Sequence, residues 1–121
     1  MKIKDFNELL DKIHSRIDNT LANKGDEYST NENKLHNFDK AGRMSNQTRE
    51  KALMGMLLKH QVSLDDIVEK LDNDELPTVE ILEEKITDTL NYYILLEACI
   101  KDRINSKLEE REEIIVKEKS E

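Results

Sequence analysis

Apolar residues spaced three and four apart, with almost nothing to break a helix, constrain this chain more than any other feature. Ile3, Phe6, Leu10, Ile13, Ile17 and Leu21 fall on one face of a 3.6-residue repeat. Asp5, Glu8, Lys12, Arg16 and Asn19 occupy the opposite face. Three glycines and one proline in 121 residues are too few for a turn-rich sandwich or a glycine-loop nucleotide fold. Apolar residues make up 36% and charged residues 38%, a balance that suits helices with narrow buried stripes. The length predicts one domain with a modest core.

Three further helices follow from the same spacing. Gly25 is the natural stop for the first, because glycine takes a left-handed conformation without strain. A short helix over Asn33 to Ala41 is expected to bury Leu35, Phe38 and Ala41, with Gly42 read as punctuation at its end. A long third helix is expected to start between Ser45 and Thr48, where short polar side chains can cap exposed amides. Its apolar positions are Leu53, Met56, Leu57, Leu64, Ile67 and Leu71, with His60 inside the stripe. Residues 72–78 read as a linker. The fourth helix runs from Val79 past Ile104 and carries two stripes. One holds Val79, Leu82, Ile86, Leu90, Tyr93 and Ile100; the other holds Ile81, Asp88, Tyr92, Leu95 and Cys99. Two such faces predict a central position, inside a bundle or at a dimer interface. The expected architecture is an all-α four-helix bundle with long third and fourth helices, oligomeric. Residues 1–104 form its single domain, and residues 105–121 form a charged helical extension or disordered tail.

Charge and cysteine content narrow the function. Asp plus Glu number 27 against 19 Lys plus Arg, a net charge of −8. That disfavours direct binding of duplex nucleic acid, which depends on neutralising phosphates. The sole cysteine, Cys99, excludes a cysteine zinc cluster and reads as a buried helix residue. Met1–Asn7 lacks the apolar core of a signal peptide, and no apolar run reaches bilayer-spanning length, so a cytoplasmic protein without membrane contact is expected.

Chemistry in such a bundle belongs where polar groups interrupt core faces. His60, Ser63 and Asp66 succeed one another on the third helix. Glu84 and Asp88, four apart on the fourth, share a face with Asn91 and Tyr92 one turn on. Carboxylates this close repel unless a cation, a proton or hydrogen-bond donors lie between them, and Mg²⁺ would satisfy the pair. The plainer alternative is a buried network in which Asp88 hydrogen-bonds His60 or Tyr28. Glu27 and Tyr28 leave the first helix in a polar turn that can return over the bundle; Glu27 is a candidate ligand and Tyr28 a candidate base-stacking ring. Arg43 and Lys59 are the candidate phosphate partners.

Together, Lys24-Gly25-Asp26-Glu27-Tyr28, Asn37-Phe38, Lys59-His60 with Ser63 and Asp66, and Glu84-Lys85 with Asp88, Asn91 and Tyr92 resemble small phage and prophage proteins. These are similar to nucleotide-modification-associated domains and, more remotely, to the all-α nucleoside triphosphate pyrophosphohydrolases of the MazG type. The resemblance spans about residues 20–100. It implies a helical bundle in which acidic side chains hold Mg²⁺ on a nucleotide's phosphates. Glu84 and Asp88 would then be catalytic metal ligands, with Glu27 or Asp66 completing the set. His60 would orient a carboxylate or contact phosphate, and Lys59 and Arg43 would offset phosphate charge. Tyr28, Asn91 and Tyr92 would face the nucleotide. The usual signature, Glu-Glu-x-x-Glu followed by Glu-x-x-Asp, is not reproduced. His60, Ser63 and Asp66 stand where the first motif belongs, and three residues rather than two separate Glu84 from Asp88. A second reading stays open: a small acidic protein that binds and inhibits a host enzyme or defence protein, its charge complementing a basic surface.

Overall fold

The computed structural model describes residues 1–23 and 33–120, and all regular structure among them is helical. Four helices are described: α1 (Ile3–Asn23), α2 (His36–Met44), α3 (Arg49–Leu71) and α4 (Val79–Ser120). Helix α4 packs against both α3 and α1, and α2 lies on α3. Helices α3 and α4 thus each have two neighbours, and the packing order is α1–α4–α3–α2. No helix among the described residues is long and apolar enough to cross a membrane.

Local chemistry sets the helix boundaries. Thr48 caps α3, its hydroxyl accepting from the Lys51 amide at 3.3 Å. Thr78, just after Pro77, does the same for the Ile81 amide at 3.2 Å and starts α4. In the α2–α3 turn, Asn46 takes a left-handed backbone (φ 54°), which asparagine tolerates better than most residues. Gly42 corrects the sequence reading. It is no terminator but a buried residue inside α2, where the start of α3 crosses closely. A Cβ there would meet the Arg49 amide nitrogen and the Gln47 carbonyl oxygen, each at 2.9 Å.

The core sits where α2, α3 and α4 meet. Leu35, Phe38, Leu53 and Cys99 form its buried cluster, with Met56, Tyr92, Leu95 and Leu96 packed around it. Leu57 is also fully buried. On α4 only Cys99 of the two stripes is among the buried residues; the others are Thr87, Thr89 and Asn91, while Val79, Ile81, Leu82, Tyr93 and Ile100 are exposed. On α1 the stripe divides. Ile13, Ile17 and Leu21 are half-buried, whereas Ile3, Phe6, Leu9 and Leu10 stay exposed. The charged segment after residue 104 continues α4 as helix to Ser120, so α4 has 42 residues and is about 63 Å long.

Arg49 joins three helices at one point. Its guanidinium bonds Asp39 of α2 at 3.1 Å, and the Cys99 carbonyl and Asp102 of α4 at 2.9 Å each. Burial alone would lower its pKa, but hydrogen bonds to Asp102 and Asp39 outweigh that and raise it. Beside it, Arg103 of α4 holds both Glu50 carboxylate oxygens, at 2.9 and 2.6 Å. The bidentate contact is the main reason the Glu50 carboxyl falls from 4.5 to about 2.

Two outcomes follow from these contacts. Gly42→Ala should destabilise the fold by about 1–3 kcal/mol, because the obstructing atoms are backbone. Gly55→Ala, with nothing within 4 Å, should stabilise α3 by about 0.5–1 kcal/mol; denaturant titration of both variants reads the contrast. The folded-state pKa of Glu50 lies below its unfolded value, so its contribution is complete above pH 4.5 and is lost as pH falls toward about 2. Arg103→Met should therefore flatten the acid limb of stability in that window, measured by denaturation midpoints across it.

Candidate functional site

The polar interruptions on α4 converge on its junction with α1. Arg16 projects from α1, its Nε donating to the Thr87 hydroxyl at 3.1 Å while Nη1 lies 3.7 Å from Glu83. An open groove of about 340 Å³ runs alongside, lined by Arg16, Asn19 and Thr20 from α1 and by Glu80, Glu83, Glu84, Thr87 and Asp88 from α4. Glu84 and Asp88 thus share one groove, as their spacing required. Glu84 is exposed and Asp88 half-buried.

One turn further, the α4 polar residues enter the interior. Tyr92 stands between two rings: His60 of α3, with centroids 4.9 Å apart and planes 36° apart, and Phe38 of α2, edge-on at 6.4 Å. His60 and Tyr92 are therefore in contact. Next to Tyr92 in sequence is Asn91, 6% exposed, whose Oδ1 and Nδ2 have no hydrogen-bond partner among the described residues. The other two buried polar residues of α4 are satisfied. Thr87 accepts from Arg16, and Thr89 donates to the Lys85 carbonyl at 2.7 Å. Since buried amides are nearly always paired, Asn91 requires a reason.

The remaining candidates are dispersed. Glu27 and Tyr28 lie outside the described residues. Lys59 is exposed on α3. Asp66 is also exposed, and its carboxylate gathers with those of Asp65 and Glu69, all within 4.8 Å of one another. Among the described residues that is the one such group of three, and it includes neither Glu84 nor Asp88. Arg43 lines a different groove, of about 470 Å³, with Asp39, Arg49, Asp102, Arg103 and Lys107; it shares no residue with the Glu84–Asp88 groove.

Two residues escaped the sequence reading. Arg16 was assigned to the outward face of α1, although its position beside Ile13 and Ile17 sets it at the edge of the buried stripe. Arg49 carried a clearer signal: a cation in the first turn opposes the helix dipole, so some tertiary partner has to hold it there.

Asn91→Leu should raise stability by about 1–3 kcal/mol, the cost of an unsatisfied buried polar group, less any misfit of the new shape. Urea titration of both proteins measures it, and an unchanged or lowered midpoint means that the amide is partnered in solution. No family model matches the chain, and neither a curated protein nor a solved structure is detectably similar to it.

Proposed function

We propose that the protein binds a nucleotide, or a similar phosphorylated small molecule, beside α4, as a phage-type protein of nucleotide metabolism related in function to MazG-like pyrophosphohydrolases. The observation that carries this reading is the buried Asn91 amide, unpartnered among the described residues and next in sequence to Tyr92, whose ring meets that of His60. An amide both donates and accepts, which is what the edge of a nucleobase offers in return. Tyr92 and His60 supply aromatic surface for the base.

Glu84 and Asp88 would hold Mg²⁺ in this scheme. Mg²⁺ commonly binds one or two carboxylates and takes its remaining ligands from water and substrate phosphates, so a pair of acids in an open groove fits that requirement. Bound there, the ion would neutralise phosphate charge and activate water for attack on the phosphate chain. Arg16, already in the groove, would offset further phosphate charge. Arg43 lines a separate groove and Asp66 gathers with Asp65 and Glu69, so neither enters this arrangement.

A second reading, an acidic protein that binds and inhibits a host protein, is favoured by a separate observation. Met54, Leu58 and Val62 recur every four residues along α3 and are all exposed, an apolar strip suited to a protein partner. Ligand dependence separates the two. Nucleoside triphosphate with Mg²⁺ at about 100 times its Kd should stabilise the native protein by about 2.7 kcal/mol, a shift of several degrees in Tm for a domain of this size. Glu84→Ala and Asp88→Ala should lose the Mg²⁺-dependent part of that shift, and any pyrophosphate release, while remaining folded. Identical melting with every nucleotide class, with and without Mg²⁺, overturns the nucleotide reading.

A further inference from the structure

The distal part of α4 stands apart from the rest of the molecule. Every residue from Ile100 to Ser120 is exposed. Among the described residues, no hydrogen bond or ion pair ties α4 to another helix beyond Arg103. Yet the segment is not uniformly polar. Ile100, Ile104, Leu108 and Ile115 are 43, 52, 50 and 49% exposed, and with Arg111 they occupy about 80° of arc at 100° per residue. The whole chain exposes 9560 Å² at 14.2 kDa, against about 6,800 Å² for a compact monomer of that mass. The surplus is several times the roughly 800 Å² that each partner buries in a stable dimer.

Charge order along the helix identifies what can cover this strip. Lys101, Arg103 and Lys107 make the nearer stretch basic, with Asp102 alone opposing them. Glu109, Glu110, Glu112 and Glu113 make the next stretch acidic, with Arg111 among them. Two copies laid parallel would set four glutamates beside four glutamates. Laid antiparallel about Leu108, each acidic stretch faces the basic stretch of the other copy.

We propose that two copies of this chain pair antiparallel through residues 97–119 of α4, about a two-fold axis at Leu108. In that register Ile100 layers against Ile115 of the second copy and Leu108 meets its own equivalent. Ile104 layers against Arg111, whose alkyl stem covers the isoleucine while the guanidinium reaches out to solvent. On the flanks, Lys107 comes level with Glu110 of the second copy, and Glu97 with Lys119. Within one chain these groups make only exposed contacts one turn apart, Lys101 to Glu97 at 3.4 Å and Lys107 to Glu110 at 3.3 Å, which are weak enough to rearrange. The pairing leaves the α1–α4 groove uncovered and is independent of what that groove binds.

Sedimentation of the full chain at tens of micromolar should give twice the 14.2 kDa chain mass. Ile104→Asp and Leu108→Glu, both at exposed positions, should each give a folded monomer with unchanged helical circular dichroism. Disulfide trapping fixes the direction. Leu108→Cys should cross-link to itself, whereas Ile100→Cys should not, because antiparallel copies hold those positions about 24 Å apart. A mixture of Ile100→Cys and Ile115→Cys chains should cross-link, and the native Cys99, fully buried, stays out of the reaction. A monomeric native chain, a dimer that survives Leu108→Glu, or Ile100→Cys trapping as well as Leu108→Cys would each overturn the proposal.

Discussion

Three of the four described helices meet at a single guanidinium. Arg49 sits at the first turn of α3, where the helix dipole disfavours a cation, and is held there by Asp39, Asp102 and the Cys99 carbonyl. Those partners belong to α2 and α4, so one side chain fixes the orientation of both flanking helices on α3. The contact works because backbone comes close at the same point: Gly42 of α2 leaves room for the Arg49 amide. Glu50 and Arg103 repeat the link one residue further on. A core whose fully buried large side chains are Phe38, Leu53, Leu57 and Cys99 supplies limited hydrophobic stabilisation and little directional information. The arginine network supplies the direction.

The same economy shapes the candidate site. Helix α4 must face α1 and α3 together, and its buried set is more polar than apolar: Thr87, Thr89 and Asn91 beside Cys99. The threonines are satisfied cheaply, one by Arg16 and one by its own helix. Asn91 is the exception, and its cost would be removed in an ordinary core by an apolar side chain. Asn91 precedes Tyr92, the ring that meets His60, and lies one turn from Asp88.

Several parts of this arrangement were legible before any coordinates. The cap at Thr48, the burial of Leu35, Phe38, Leu53 and Cys99, and the common face of Glu84 and Asp88 all follow from local rules of spacing and turn chemistry. Gly42 was misread because a glycine near a helix end serves termination and close crossing equally well, and only the neighbouring backbone distinguishes them. Arg43 was grouped with the acidic pair as a candidate phosphate partner, and Asp66 through its succession after His60 and Ser63 and the resemblance. One lies in a separate groove and the other beside Asp65 and Glu69.

Sequence by itself determined that the chain is helical and roughly where its long helices begin, because periodicity and capping act over a few residues. Tertiary structure decided which stripes are covered. The exposed Ile3, Phe6, Val79 and Ile100 look no different in sequence from buried residues at the same spacing. It also decided that Arg16 and Arg49 are interior ties rather than solvated charges. Both depend on which faces meet, and that is fixed by contacts between residues 50 and 71 positions apart, which no local pattern encodes.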